Sequence, residues 1–212
     1  AAFAGGLAAT FAIQGLAQLQ GHAATATLLL AGIAINALTG ALTGLLVYIS
    51  NDTQLCDFTF WSMGSLASGG WRAVTAAAIP ILLALGVILT RARALDAMLL
   101  GEREALHLGV SVQRLKHVVM VAAALAVSSA VAFCGIIAFV GIVVPHVVRL
   151  IAGPDHRIVL PGSMLAGAAL LLVADSFARV IVAPAELPIG LVTAAIGSPF
   201  FLWLLIRKRR GA

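Results

Sequence analysis

Long apolar runs constrain this sequence more than any other feature. Several of them approach or exceed the roughly 20 residues that a helix needs to cross about 30 Å of hydrocarbon. Of the 212 residues, 62% are apolar and only 10% are charged, and the runs lack the strict alternation of barrel strands. The sequence therefore predicts an integral membrane protein of the all-α class, folded as a polytopic helix bundle.

Polar or Gly/Pro-rich breaks divide the apolar runs into seven predicted crossings, and the fifth is unusually short. We treat residues 1–212 as a single transmembrane domain that opens inside a span, as expected of an N-terminally truncated chain. The predicted crossings are 1–17, 27–49, 72–90, 118–135, 137–150, 159–180 and 189–206.

All the Lys and Arg residues except Arg72 and Arg179 fall in three groups between, at the end of or after the spans. The net charge of +5 therefore indicates topology and not a polyanionic partner, since short basic loops mark the cytoplasmic side of a membrane protein. This places the C-terminus in the cytoplasm. The groups run from Arg91 to Lys116, from Arg149 to Arg157, and from Arg207 to Arg210.

The short crossing follows from parity. If Lys116 and Arg149 both lie in the cytoplasm, two crossings must fit between them, and about 30 residues are too few for two full spans. Gly135 disfavours helix and Pro145 removes a backbone donor, so we predict a half-length helix here, with Pro145 helping to bound it. The alternative is one long helix over 118–150.

Residues 91–117 form the only sizeable polar excursion, which we interpret as a cytoplasmic segment with two short helices around "GERE" (101–104). Other chemistry finds little support. No glycine-rich P-loop is present, so ATP would bind another chain. Ser65 and Ser68 lack a matching base for an intramembrane protease. Cys56 and Cys134 predict neither a disulfide nor a metal site.

Several ordered motifs resemble a known family. "LLLAGIAINAL" (28–38), "FWSMGSLASGGW" (60–71), "GEREALHLGV" (101–110) and "CGIIAFVGIVVPHVVRLIAG" (134–153) are similar to the FecCD-type permease subunits of ABC importers for iron chelates, haem and vitamin B12. "PDHRIVLPGSMLAGAALLLVADSFARV" and "PAELPIGLVTAAIGSPFFLWLL" extend the likeness. The family is expected to have ten spans, and this chain resembles the last seven.

The resemblance implies a transport subunit that is not itself an enzyme. It implies a homodimeric permease in the bacterial inner membrane, two cytoplasmic ATPase subunits that bind ATP and magnesium, and a periplasmic substrate-binding protein. No cofactor is expected on this chain. "DFTFWSMGSL" (57–66) favours haem as the cargo, with a ferric siderophore or vitamin B12 as alternatives. The alternative class is an ion-coupled secondary transporter that would use Asp175.

The resemblance also assigns roles to residues. In the family the 91–117 excursion docks into the ATPase, whereas the sequence alone also allows an amphipathic loop at the membrane surface. The spans 27–49 and 189–206 line the central channel at the dimer interface, and the loop before the first of them forms a cytoplasmic gate. Candidate ATPase contacts are Gly101, Glu102, Ala105, Leu108 and Gly109, and candidate gate or pathway residues are Thr25, Ala26 and Asn36. Ala26 departs from the small polar residue usual there, and Asn36 could instead bond a neighbouring helix.

On the outer side, Arg179 corresponds to a family arginine that meets a glutamate of the binding protein. The sequence alone also allows a pair with Asp175, four residues earlier on the same helix. Cys56 stands where another basic contact is common, so any contact there is lost or altered. Pro188 suits a first helical turn, and Glu186 would complement that helix's dipole.

The stretch 138–153 contains three residues that could suggest a cofactor site. We assign Pro145, His146 and Arg149 structural roles. Arg149 marks the cytoplasmic end of the short helix, and His146 is expected to make a buried hydrogen bond rather than to bind haem or relay protons.

Overall fold

A computed structural model describes residues 2–19, 25–67, 69–181 and 187–209 of the chain. Within these ranges the protein is built from helices, and their order is α1 (Ala2–Leu19), α2 (Thr25–Tyr48), α3 (Asp52–Ser62), α4 (Trp71–Thr90), α5 (Ala92–Met98), α6 (Glu102–His107), α7 (Val112–Cys134), α8 (Val140–Ala152), α9 (His156–Ile181) and α10 (Ile189–Arg209).

The predicted all-α class is confirmed, and each predicted crossing coincides with one apolar helix. By length and composition α2, α4, α7 and α9 can cross a membrane, and α1, α8 and α10 contain shorter apolar stretches. The helix α7 begins at Val112, six residues before the predicted span, because its first turns bury Val112 and Leu115.

The half-length helix α8 has 13 residues, and the alternative of one helix over 118–150 is wrong. The chain leaves α7 at Gly135, whose φ of 69° and ψ of −162° belong to a region that only glycine adopts readily. Phe139 then takes a left-handed φ of 65° directly before α8 begins. Two departures from helical geometry, four residues apart, therefore separate the two spans.

Pro145 does not bound α8, so that prediction is wrong. Pro145 lies inside the helix, which continues to Ala152. A proline ring in a helix crowds the carbonyl four residues earlier and leaves it without a donor. Here that residue is Gly141, which lies in the first turn of α8. The helix ends instead at Gly153, which has a φ of 85°.

The helix α3, between the second and third spans, was not predicted. A capping box begins it, since the Asn51 side chain accepts from the Gln54 backbone and the Gln54 side chain accepts from the Asn51 backbone. This reciprocal pair is a known start signal for a helix. The sequence "NDTQ" therefore indicated the start of a helix. The helix was missed because the half-polar residues that follow contain no apolar run long enough to resemble a membrane span.

The bundle has two packing groups. Helices α1 and α4 both pack on α7, whereas α8, α9 and α10 form a second group. Val144, Val148 and Val159 make the core between α8 and α9. A Cβ at Gly162 would lie 3.0 Å from Val148, so the small residue permits the close helix contact expected in lipid.

At one end of the bundle, the α3–α4 connection, the α7–α8 break and the start of α10 meet. Gly190 donates a backbone hydrogen bond to the Met63 carbonyl over 3.1 Å, and Ser65 donates to Cys134 over 2.9 Å. A Cβ on Gly135 would overlap the Trp61 carbonyl oxygen. We call this end the glycine end, and the other end, where α4, α8 and α9 present Arg91, Arg149 and Arg157, the basic end.

Candidate functional site

The segment 91–117 contains the two predicted short helices, α5 and α6, separated by Leu99–Gly101. Helix α6 ends in a Schellman motif: Val110 donates to the Ala105 carbonyl and Gly109 donates to Leu106, both over 2.9 Å. Gly109 has a φ of 81°, the left-handed conformation that this motif favours for glycine. The segment is thus an ordered helical hairpin and not an irregular loop.

This hairpin presents an apolar surface. Ala105 is fully buried, which makes it the packing point of α6, whereas Leu108 is 63% exposed. Exposed apolar side chains that cluster in this way are typical of a surface that contacts another protein or a membrane. The exposed leucines of the hairpin are Leu99, Leu100, Leu106 and Leu108.

Glu102 connects the hairpin to α7. Its Oε1 lies 2.7 Å from Lys116 Nζ, and the Glu102 side chain remains about half exposed. Only the Glu102 end of this pair is exposed, because the Lys116 side chain is 15% exposed. Glu102 therefore stays available to a partner surface.

A second connection, which the sequence analysis missed, joins the hairpin to α9. Asp96 on α5 accepts two hydrogen bonds through Oδ1, from the backbone N of His156 over 2.7 Å and from its Nδ1 over 2.8 Å. The other ring nitrogen, Nε2, lies 3.5 Å from Arg149 Nη2. Sixty residues separate Asp96 from His156, so no local pattern predicts this pairing.

The environment of Asp96 favours its ionised form. Desolvation raises the pKa of Asp96, but the hydrogen bonds from the backbone and side chain of His156 outweigh it, and the pKa lies below its ordinary value of 3.8. In the tautomer with its proton on Nδ1, His156 donates to Asp96 and accepts from Arg149 at the same time. Arg149 lies in the last turn of α8, and its cytoplasmic side stays a prediction.

His146 does not make the expected hydrogen bond through Nε2, so that prediction is wrong for this atom. His146 Nε2 and Ser163 Oγ are buried and have no partner within the described parts of the chain. The imidazole instead meets Phe200 edge-on, with ring centroids 6.4 Å apart. Both residues line a cavity of about 530 Å³ between α8, α9 and α10, which Arg149 and His156 also line.

The candidate pathway residues lie on or near α2. Thr25 and Ala26 form the start of the helix, and their side chains lie outside the described part of the structure. Asn36 is exposed, and no described residue forms a hydrogen bond with its side-chain amide. A Cβ on Gly32, Gly40 or Gly44 would meet no atom within 4 Å. These residues and Asn36 follow at four-residue intervals, which places them broadly on one helix face.

At the C-terminal end of α9, the alternative pairing of Arg179 does form. Arg179 Nε donates to Asp175 Oδ2 over 2.8 Å, and the Arg179 side chain is 48% exposed. The docking role of Arg179 stays a prediction, because a half-exposed guanidinium can meet an additional carboxylate.

Other predicted positions fall at the glycine end. Pro188 directly precedes α10, and its carbonyl accepts from Leu191 over 3.1 Å, so it starts the helix from one residue outside. Glu186 and Ser68 lie outside the described residues. Ser65 accepts a local bond from the Ala67 backbone. Cys56 is exposed, and Cys56 and Cys134 are free thiols.

A cavity of about 530 Å³ opens at this end between α3, α7 and the start of α10. Aromatic and apolar side chains dominate its wall, together with the Ser65 and Cys134 side chains. The lining residues include Phe60, Trp61, Phe133, Leu187 and Pro188.

The fold, with four helices in its described part long and apolar enough to cross a membrane and a broken span before α8, defines the class of polytopic helical membrane proteins. The model of the FecCD transport family matches residues 1–207, and the chain belongs to this family.

Two individual proteins that are similar to the chain are consistent with this family assignment. The chain is 49% identical over 208 residues to the hemin transport system permease protein HmuU of Yersinia pestis, covering 98% of this chain and 62% of that protein. It is 44% identical over 205 residues to the cobalamin import system permease protein BtuC of Halobacterium salinarum, covering 97% and 55%. It therefore spans less than two thirds of the length of these relatives.

Among solved structures, a metal-chelate type ABC transporter in an inward-facing conformation is similar, with a TM-score of 0.85 and 34% identity. The match covers 97% of this chain and 72% of that one.

Proposed function

We propose that this chain is the membrane-spanning permease part of an ATP-binding cassette importer that translocates a metal chelate by alternating access, with haem as its cargo. The observation that carries the proposal is the family match over residues 1–207, joined to a 49% identical haemin permease. Vitamin B12 is the second candidate cargo because a cobalamin permease is 44% identical. A ferric siderophore remains the third.

The hairpin α5–α6 is the proposed ATPase contact. Its exposed leucines supply an apolar surface, and the half-exposed Glu102 carboxylate lies beside them. Ala105 and Gly109 act within the hairpin, one as its packing point and the other in its Schellman turn. A helical hairpin held by an ATPase can convert nucleotide-driven closure into rocking of the attached spans.

The open glycine face of α2 supports a second permease copy as partner. Gly32, Gly40 and Gly44 leave room for a backbone to approach, and small residues at four-residue spacing favour close helix contact in lipid. Asn36 would then face the pathway between the copies. A periplasmic binding protein is the proposed partner for Arg179, and the inner membrane is the proposed location, with the basic end and C-terminus in the cytoplasm.

Reconstitution tests this function. The full-length permease and its ATPase are placed in liposomes, with the binding protein loaded with haem. We expect uptake that requires ATP and stops when the ATPase cannot hydrolyse it. Uptake driven by a proton or sodium gradient without ATP would instead support the ion-coupled class and refute the proposal.

Competition identifies the cargo. Unlabelled haem, cobalamin and a ferric siderophore are added separately to the haem-uptake assay, each with a binding protein saturated at the same concentration. We expect only haem to compete strongly. Efficient cobalamin uptake in place of haem would retain the importer and reject the haem assignment.

A further inference from the structure

Asp96 occupies an unusual position, because it caps a helix that lies far away in the sequence. His156 is the first residue of α9 and is 9% exposed. The first backbone N–H groups of a helix have no partner within the helix, and a carboxylate there also complements the helix dipole. Asp96 supplies that partner from α5, across 60 residues of chain.

His156 is the meeting point of three helices. Its backbone and Nδ1 face Asp96 of α5, and its Nε2 faces Arg149 of α8 over 3.5 Å. The side chain of His156 is 11% exposed and that of Asp96 is 28% exposed. Charge-assisted hydrogen bonds that are partly shielded from water are stronger than exposed ones.

The hairpin is connected to the two packing groups in different ways. The chain itself joins it to α4 and α7, and Glu102–Lys116 only reinforces the second of these connections. By contrast, α8 and α9 follow the hairpin only after the whole of α7. Motion of the hairpin therefore reaches this second group directly through non-covalent contacts, and α5 packs against α9 at the position of Asp96.

We propose that Asp96 is a positioning residue for coupling: through His156 and Arg149 it makes α8 and α9 move with the ATPase-docked hairpin. This rests on the proposed function, because it assumes that the hairpin receives motion from an ATPase. The coupling depends on the Asp96 oxygen that accepts both hydrogen bonds, so an amide oxygen at the same position preserves the coupling.

The test compares Asp96→Ala with Asp96→Asn in the assembled full-length transporter. Asn keeps the Oδ1 acceptor for both hydrogen bonds, whereas Ala removes it. Arg157→Ala is the control, because Arg157 directly follows His156 at the same helix end and its side chain is exposed. The readouts are cargo moved per ATP hydrolysed in liposomes and assembly by size-exclusion chromatography.

We expect all variants to assemble and hydrolyse ATP. Asp96→Ala should lose about tenfold in cargo moved per ATP, corresponding to about 1.4 kcal/mol of coupling, while Asp96→Asn and Arg157→Ala stay near wild type. A normal ratio in Asp96→Ala, an equal loss in Arg157→Ala, or a loss in Asp96→Asn matching that in Asp96→Ala would each overturn the proposal. If the wild type shows no ATP-driven uptake, the proposed function itself fails, which is a different result.

Discussion

The break before α8 makes a sharp prediction about Gly135. Replacing Gly135 with alanine places a Cβ on a residue with φ 69° and ψ −162°, at a cost of about 1–3 kcal/mol for a non-glycine residue. The new atom would also overlap the Trp61 carbonyl oxygen and lie 3.0 Å from Gly64 Cα. Both neighbours are backbone atoms, so relief requires main-chain movement, which adds about 1–3 kcal/mol as in other overpacked sites. The sum is a loss of about 2–6 kcal/mol.

Gly141→Ala provides the control, because it adds the same methyl group six residues away. Gly141 lies in α8, and a Cβ there would meet no atom within 4 Å. Alanine in a helix is favoured over glycine by about 0.5–1 kcal/mol, so this variant should be as stable as wild type or slightly more stable.

The assay is thermal unfolding of the full-length protein in detergent, followed by loss of the monodisperse peak in size-exclusion chromatography. A loss of 2 kcal/mol predicts a Tm at least about 4 °C lower for Gly135→Ala. If the Tm values of Gly135→Ala and Gly141→Ala agree within about 1 °C, the close approach at the glycine end does not constrain the fold and the reasoning is refuted.

Three further predictions concern the remaining surfaces. Gly40→Leu on α2 should weaken self-association of the full-length protein about tenfold, by about 1.4 kcal/mol. Gly86→Leu on α4, where the added side chain also meets open space, should leave self-association unchanged. Equal effects of the two variants in single-molecule photobleaching would exclude the α2 face as the interface. Arg179→Glu should lower the affinity for the binding protein at least about tenfold, and the loss should be larger at low salt. Arg157→Glu, at the opposite end of α9, should leave this affinity unchanged. Calorimetry at two salt concentrations measures both affinities, and equal losses in the two variants would contradict the docking role of Arg179. The pKa of Asp96 lies below its ordinary value of 3.8, so its stabilisation is present at neutral pH and is lost as pH approaches 3.8 and falls through the lower folded pKa. The Tm difference between wild type and Asp96→Ala should therefore stay constant near neutral pH and shrink in acid, and shrinkage already near neutral pH would contradict this assignment.

The parts of the fold that the sequence predicted depend on local signals. Apolar length marks the spans, and the break at Gly135 follows from charge parity and one poor helix former. Pro145 was misjudged because proline in the first turns of a helix is tolerated when the crowded residue is also near the helix start. The helix α3 had a local signal in Asn51 and Gln54, but no apolar periodicity drew attention to it.

The parts that could not be predicted depend on distant contacts. Asp96 and His156 are ordinary residues in their own segments, and only the packing of α5 on α9 brings them together. The unpartnered Nε2 of His146 also depends on how α8, α9 and α10 face one another. By contrast, the Arg179–Asp175 pair could be predicted from the sequence, because four-residue spacing on one helix brings two side chains together without any tertiary contact.

The unequal lengths of α8 and α9 give them different reach as levers. Both are held near His156 at the basic end, but 13 residues extend about 20 Å and 26 residues about 39 Å. A tilt of about 10° at that end displaces the far end of α9 by about 7 Å and the far end of α8 by about 3 Å, from these helix lengths. The same rotation therefore moves the far end of α9, which carries Arg179, about twice as far as the far end of α8.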